Sequence, residues 1–515
     1  EATALAHCET SLKLAQVIGN RSTIASAFNN LGLVHFEAGN FAIAEENARE
    51  AVKILEVLFD NIKADPNAQV ALGETLITYN LLQRILVAQE KYGEALVVAE
   101  EGRAKASINL LSQRLGSTVD LSQLEGALSL ADIQQTAKEN NVTIVEYSLI
   151  LESYLNHGTV RGSTAEIYIW VVHPSGEIDF RQVPLTSENE IFQDLIAHLR
   201  KSLGIPNRGG LAPRTASTID QQAQLKDLYE LLIAPVEALL PNDPTQQVVI
   251  IPQRELFSIP FAALQDEDDT YLIENHTLSV APAAKIFRLT QHQQFTKPRQ
   301  AKWGENSLIL GNPQMPDVRL SPNQPAQRLS SLPGAEKEAE SIAQLLETAA
   351  LINDQATEAA VKQKLPEAQL IHFATHGLLE YGRPEASGIR DIPGALALTP
   401  DNQEDGLLTA AEILDLQLQA NLVVLSACDT GRGTVTDDGV NGLSLSFIMA
   451  GAPSVVVSLW AVPDAPTAAL MTEFYSQLQQ GKNKSQALRQ AMLTTMETHP
   501  DPRDWAAFIL IGATD

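Results

Sequence analysis

Up to about residue 115, apolar and small side chains recur at three- and four-residue intervals, and breakers are few, Pro66 being the clearest. That spacing predicts an all-helical region. It is also self-similar. Ala4, Ser11, Leu12 and Leu14 match Ala44, Ala51, Val52 and Ile54 at an offset of 40, and Phe41, Ala44 and Ala48 are echoed by Tyr92, Ala95 and Ala99 at an offset of 51. Small residues at such positions let paired helices approach closely, so a period near 40 predicts stacked helix hairpins.

Near residue 141 the pattern changes. Residues 142–147 and 166–172 are rich in β-branched and aromatic side chains and predict strands, and His173-Pro174-Ser175-Gly176 predicts the turn of a hairpin over 166–183. Residues 204–218 carry Pro206, Gly209, Gly210 and Pro213 and predict a loop. Asp266 to Asp269 form an acidic loop without calcium-ligand spacing, which predicts solvated surface. From about 305 onward strands and helices alternate. Strands are expected at 307–311, 370–374, 395–398, 422–427, 454–459 and 507–511, and helices at 335–346, 358–365, 441–450, 466–480 and 485–496. Continuous apolar strands such as Leu422-Val-Val-Leu suit a sheet buried on both faces, and the alternation argues for a mostly parallel sheet flanked by helices.

Composition narrows the function. The 515 residues suggest about three domains. Lys and Arg number 36 against 63 Asp and Glu, a net charge of −27, which opposes general binding to phosphate backbones or anionic lipid. Two cysteines, Cys8 and Cys428, exclude a disulfide framework and a Cys-rich zinc site, and fit a reducing, cytoplasmic setting. No apolar run reaches the length of a membrane span. The chain opens on Glu1 rather than Met and reads as a fragment of a longer protein.

In an open parallel sheet, sites form at the carboxyl ends of strands. Two strands here end in reactive residues: Leu370-Ile-His-Phe-Ala-Thr-His-Gly runs into His376 and Gly377, and Leu422-Val-Val-Leu-Ser-Ala-Cys-Asp-Thr-Gly runs into Cys428. If the two strands are neighbours, an imidazole and a thiol face one cleft. The imidazole can take the thiol proton, the thiolate can attack a peptide carbonyl, and the backbone N–H groups of Gly377 and Cys428 can serve the oxyanion. Taken singly, a Cys at a strand end is more often a small buried hydrophobe. A zinc site of His372, His376 and Cys428 fails, because strand residues four apart sit roughly 13 Å apart; His372 reads as a hydrogen-bonding strand residue. Gly431-Arg432-Gly433 lacks the third glycine of a dinucleotide fingerprint, Thr436 standing in its place, and no phosphate loop is present. No cofactor is expected, and Cys8 reads as inert.

Two family resemblances follow from these residues. Asn30-Leu31-Gly32 with His35, Gly39, Phe41, Ala44, Ala48 and Ala51 resembles a tetratricopeptide repeat (TPR), without the Trp and closing Pro often found there. His-Phe-Ala-Thr-His-Gly over 372–377 and Leu-Ser-Ala-Cys-Asp-Thr-Gly over 425–431 resemble the His and Cys motifs of CHAT domains, caspase-like domains associated with TPRs and related to separase, caspase and gingipain peptidases. The resemblance extends through Leu231-Leu-Ile-Ala-Pro-Val-Glu, Ile251-Pro252, Ser258 to Leu264, Leu332-Pro-Gly-Ala-Glu336, Gly439 to Gly442, Ala450-Gly-Ala-Pro-Ser-Val-Val, Ser458 to Asp464 and Trp505 to Gly512. It implies TPR-like helical hairpins over 1–115, then a caspase-like, mostly parallel sheet flanked by helices. Residues 116–300 would form the N-terminal part of the CHAT domain, as a degenerate caspase-like half, and 301–515 the catalytic part.

The resemblance implies a cysteine endopeptidase with Cys428 as nucleophile, His376 as general base, and Gly377 with Cys428 as oxyanion hole. Its substrate would be a specific protein, and a regulatory partner would engage the TPR-like region. The alternatives are an idle peptidase-like scaffold that acts through its TPR surface, and a hydrolase or acyltransferase using the same thiolate on a non-peptide carbonyl. Several relatives prefer a basic residue before the scissile bond. Ser426 stands where metacaspases carry an Asp, so the acidic residue of that subsite is sought elsewhere: Asp464 first, Asp429 second, against the plainer role of a turn or helix-cap aspartate. Loops 378–393 and 429–439 would border the cleft, and Arg432 would be a self-cleavage position.

Overall fold

The computed structural model describes residues 2–62, 69–111, 126, 128–156, 159–185, 192–203, 218–296, 303–319, 325–379, 381–382, 391–426, 437–460 and 462–515. Cys428, Asp429 and Arg432 therefore lie outside the described residues.

Five helices open the chain: α1 (Ala2–Ile18), α2 (Arg21–Glu37), α3 (Phe41–Ile62), α4 (Gln69–Ala88) and α5 (Tyr92–Leu111). The repeat seen in the sequence is a repeat of structure, because α3 and α5 begin on the matched residues Phe41 and Tyr92. Ala44, Ala48, Ala95 and Ala99 are all buried where paired helices meet. Gly32 on α2 is part of the same close packing: a Cβ there would lie 3.3 Å from the Ala44 carbonyl oxygen. One ionic cluster pins α3 to the turn between α4 and α5. Glu45 accepts from Lys91 at 2.7 Å, Arg49 at 2.8 Å and Gln89 at 2.9 Å. Partial burial raises the Glu45 carboxyl, but these donors outweigh it and hold it at about 2, below the usual 4.5. A carboxylate held below its unfolded value stabilises the fold above about pH 4.5, and that contribution is lost as pH falls toward 2. We therefore expect the helical region to lose thermal stability across that window, and Glu45→Gln to flatten the dependence. Melting followed by helical circular dichroism checks it.

After α6 (Leu130–Asn140) the chain enters the sheet. Its strands are β1 (Thr143–Asn156), β2 (Thr159–Val172), β3 (Ile178–Pro184), β4 (Gln247–Ile251), β5 (Thr277–Val280), β6 (Ser307–Pro313), β9 (Ala350–Asn353), β10 (Leu370–Ala374), β13 (Leu422–Leu425), β14 (Ser454–Ser458) and β15 (Phe508–Gly512). Two small hairpins stand outside it, β7 (Asp317–Val318) with β8 (Gln327–Arg328), and β11 (Ala395–Ala397) with β12 (Leu407–Thr409). The eleven-stranded sheet runs β3-β2-β1-β4-β5-β15-β14-β13-β10-β6-β9. It is parallel except for the β1–β2–β3 meander at one edge and the β14–β15 pair. Residues 395–398, expected as a sheet strand, instead supply β11 of a side hairpin, because β11 pairs antiparallel with β12.

The remaining helices are α7 (Phe192–Ser202), α8 (Thr218–Leu232), α9 (Leu272–Asn275), α10 (Ala284–Thr296), α11 (Pro333–Leu345), α12 (Glu358–Lys364), α13 (Ala410–Leu414), α14 (Asp437–Met449), α15 (Asp464–Gln479), α16 (Lys484–Thr498) and α17 (Pro502–Trp505). They cover both faces. On one, α11, α15 and α16 share a core with the inward residues of β6, β10, β13 and β14; on the other, α12, α13 and α14 do.

The helical region is not a separate arm. Ala44, Tyr79, Leu86 and Leu96 share one core with Ile144, Trp170 and Phe287. Helix α5 makes three distinct attachments. At its start the Tyr92 carbonyl accepts from Trp170 Nε1 at 2.9 Å. In its middle Arg103 is paired with Glu146 of β1 at 2.5 Å and also donates to the Tyr147 carbonyl. At its end Leu111 packs among Leu443, Phe447 and Val457.

Candidate active site

β10 lies between β6 and β13 and is parallel to both, so three adjacent strands deliver their carboxyl ends to one edge. Phe373 is paired with Leu425 and Leu370 with Leu422. Apolar burial on both faces fixes that register, since a one-residue slip would turn each strand's apolar set the wrong way.

His376 follows β10 by two residues and is only 1% exposed. Its Nε2 lies 2.7 Å from the Ser330 carbonyl oxygen. A carbonyl accepts and cannot donate, so Nε2 carries the hydrogen. In the neutral ring Nδ1 then holds the basic lone pair. The local backbone is pinned by β11: Ala397 N donates to the His376 carbonyl at 2.9 Å and Leu378 N to the Ala395 carbonyl at 2.8 Å. Thr375 Oγ1 donates to the Ala397 carbonyl at 2.6 Å. In this pattern Gly377 faces Leu396 as a non-hydrogen-bonded pair, so its own N–H is turned away from β11. The far end of β11 is anchored toward β6 and β9, where Thr399 Oγ1 donates to Asn353 and accepts from Gln314 N.

Ser426, the last described residue before Cys428, is 4% exposed. The helix after that segment, α14, packs on the stretch leading into β11: a Cβ on Gly442 would lie 2.0 Å from the Pro393 carbonyl oxygen, so only glycine lets the helix seat there.

Asp464 is exposed and opens α15. Its carboxyl stands over the first turn of α11, where a Cβ on Gly334 would be 1.9 Å from its Cγ. That places a negative charge beside two helix N-termini, a favourable setting for a carboxylate. It also places Asp464 beside the helix that the segment carrying Ser330 runs into.

His372 has the hydrogen-bonding role expected of it. Its ring is fully buried, with Nδ1 3.0 Å from the Tyr475 hydroxyl and Nε2 3.2 Å from Glu338 Oε1. Burial, with the Glu338 charge, pushes the Tyr475 phenol well up. Among the described residues, three carboxylates able to share a cation are Glu358, Glu404 and Glu412. The Lys362 ammonium already occupies their centre, at 2.7, 3.1 and 2.8 Å. The cluster ties α12, α13 and the 401–406 loop together, and so braces the β11–β12 hairpin behind His376.

Ser330 was not foreseen as a functional residue. It acts through its carbonyl, which no side-chain pattern announces. The nearest signal is Gly311-Asn312-Pro313, a strand end of the same kind as those after β10 and β13.

The family model of the CHAT domain matches residues 222–513, more than half of the chain. The chain belongs to the CHAT-domain family. A tetratricopeptide repeat model matches residues 2–56, which places α1 to α3 in the helical region that precedes the CHAT domain. The tetratricopeptide repeat protein 28 sequences of Mus musculus and Homo sapiens are each 26% identical, over 96% of this chain. The chain spans about a quarter of their length, 25% and 24%. The separase of the Saccharomyces cerevisiae separase–securin complex superposes on 92% of this chain, and on 37% of its own, with a TM-score of 0.54 at 10% identity. At that identity the likeness is one of fold, and it spans both the helical region and the CHAT sheet. No described helix is long and apolar enough to cross a membrane.

Proposed function

We propose that this CHAT-domain chain is a cysteine endopeptidase whose dyad is Cys428 and His376. The observation that carries the reading is the fixed tautomer of His376: Nε2–H is committed to the Ser330 carbonyl, which leaves Nδ1 as proton acceptor at the carboxyl edge of the sheet. The β10–β13 ladder supports it. Its register offset, Leu370 with Leu422, is 52, the same as the separation of His376 and Cys428 in the sequence. Nδ1 takes the thiol proton. The thiolate attacks the peptide carbonyl, and the oxyanion is met by the N–H groups of Gly377 and Cys428. His376 returns the proton to the leaving amine, and water then hydrolyses the thioester.

The substrate is a protein, met in a reducing, cytoplasmic setting. The helical region binds a regulating protein, a role suited to stacked hairpins that share a core with the sheet. Asp464 is the candidate for reading a basic residue before the scissile bond, since it stands on the Ser330 side of the site; Asp429 is the second. The test is labelling with acyloxymethyl ketone peptides bearing Arg, Lys or Asp, with and without cell extract. Covalent labelling of the wild type but not of Cys428→Ala is expected, with Arg and Lys favoured. No labelling under either condition would sink the enzyme reading and leave the idle scaffold.

A further inference from the structure

Asn312 stands at an irregularity. The β6–β9 ladder pairs Gly311 with Ile352 and then Pro313 with Asn353, so Asn312 is an unpaired extra residue, a bulge. Its φ of +44° lies in the left-handed region, which Asn tolerates better than most side chains. Bulges next to active sites re-aim a side chain, and this one aims Asn312 at the segment carrying Ser330. The side chain is 4% exposed and uses both ends. Oδ1 accepts from Leu332 N at 2.7 Å and from Ser331 Oγ at 3.1 Å, and Nδ2 donates to Glu336 Oε2 at 2.8 Å. Ser330 and Ser331 are themselves exposed, so packing does not hold them.

We propose that Asn312 is a positioning residue for His376, clamping the 330–332 segment so that the Ser330 carbonyl meets Nε2. The chain of contact is continuous: the end of β6, the Asn312 amide, residues 331 and 332, the 330–331 peptide, and the imidazole. Asn312 touches no reacting atom. It acts by keeping the acceptor in place, and with it the tautomer and orientation of the ring. The inference rests on the dyad reading above.

The test uses the full chain in a Cys8→Ser background, where Cys428 is the single thiol. The rate of alkylation by iodoacetamide is followed across the pH range in which imidazole and thiol titrate. With Asn312 intact, alkylation should persist well below the free-thiol pKa. Asn312→Gly keeps the left-handed backbone free of strain and removes all three bonds. It should lower the low-pH rate by about tenfold to ~10²-fold, the range expected for a catalytic group displaced by about 1 Å, and move the profile toward that of a free thiol. Asn312→Asp combined with Glu336→Gln keeps the two acceptor bonds and reverses the third, and should restore the profile. Ser331→Ala, at an exposed position where folding is not at stake, removes one bond and should lower the rate about fivefold, the value of one hydrogen bond.

A merely structural Asn312 would alter the melting temperature and leave the pH profile where it was. Asn312→Gly and Ser331→Ala profiles that superpose on the parent overturn the inference and leave the dyad standing. A parent that alkylates only as a free thiol overturns the dyad and this inference with it.

Discussion

His376→Asn is expected to lower peptide hydrolysis by about 10²- to 10⁴-fold, the range general acid–base catalysis supplies, and Cys428→Ala to remove it. The effect is large because one ring performs both proton transfers, out of the thiol and onto the leaving amine. An Asn side chain can still donate a hydrogen bond toward the Ser330 carbonyl, so the fold should persist. That distinguishes lost chemistry from lost structure. Hydrolysis of a labelled substrate by wild type, His376→Asn and Cys428→Ala, with melting temperatures measured alongside, checks it. Activity of His376→Asn within a fewfold of wild type would show that the Ser330-held imidazole is not the base.

Arg103→Ala is expected to cost about 3–5 kcal/mol, the usual penalty for leaving one member of a buried ion pair alone. Arg103 is 6% exposed as a residue and Glu146 is fully buried in the middle of β1. Burial pushes the Glu146 carboxyl up, and the Arg103 guanidinium pulls against it. Glu100 lies 4.0 Å from the same guanidinium and accepts from Lys285 N at 3.3 Å. Removing Arg103 strands two acids in a dry interface and frees the Tyr147 carbonyl. Replacing Arg103 by Met together with Glu146 by Leu should recover part of the loss, because that apolar pair avoids the desolvation cost while Glu100 stays buried beside it. Hydrogen exchange should show α5 and β1 losing protection together in Arg103→Ala. A single variant with wild-type protection in both elements would mean that the pair does not join the helical region to the sheet. The consequence reaches the site, because α5 ends on α14, the helix that follows the Cys428 segment.

Strands β10 and β13 were legible because an apolar run that breaks at polar residues and glycine is a local signal. So was the pairing of helices, where the alanines at 44, 48, 95 and 99 repeat. Residues 395–398 misled for the converse reason. Ala-Leu-Ala-Leu reads as a sheet strand wherever it lies, and only the antiparallel partner at 407–409 made it a side hairpin. Glu146 was visible as an acid inside an apolar strand, but its partner was not, since Arg103 on an amphipathic helix reads as a solvated charge. Asp464 was expected just before a helix starting at 466, with a cap as its plainer role, whereas the helix begins on Asp464 itself with Pro463 in the cap position; its neighbour Gly334 was quoted only as part of a motif.

The sequence by itself determined the order of the parts, helical hairpins before an alternating strand-and-helix region, and named the thiol and the imidazole that any chemistry would need. These are local properties: periodicity, breakers and residue type act over a few neighbours. The tertiary structure decided which groups meet. It brought a carbonyl from residue 330 onto His376, a bulged Asn312 behind that carbonyl, and an arginine from the fifth helix onto an acid in the first strand. Those contacts join segments 20 to 46 residues apart through backbone atoms and buried charges. Such groups have no periodicity to betray them, and they find partners only once sheet register and helix packing have closed around them.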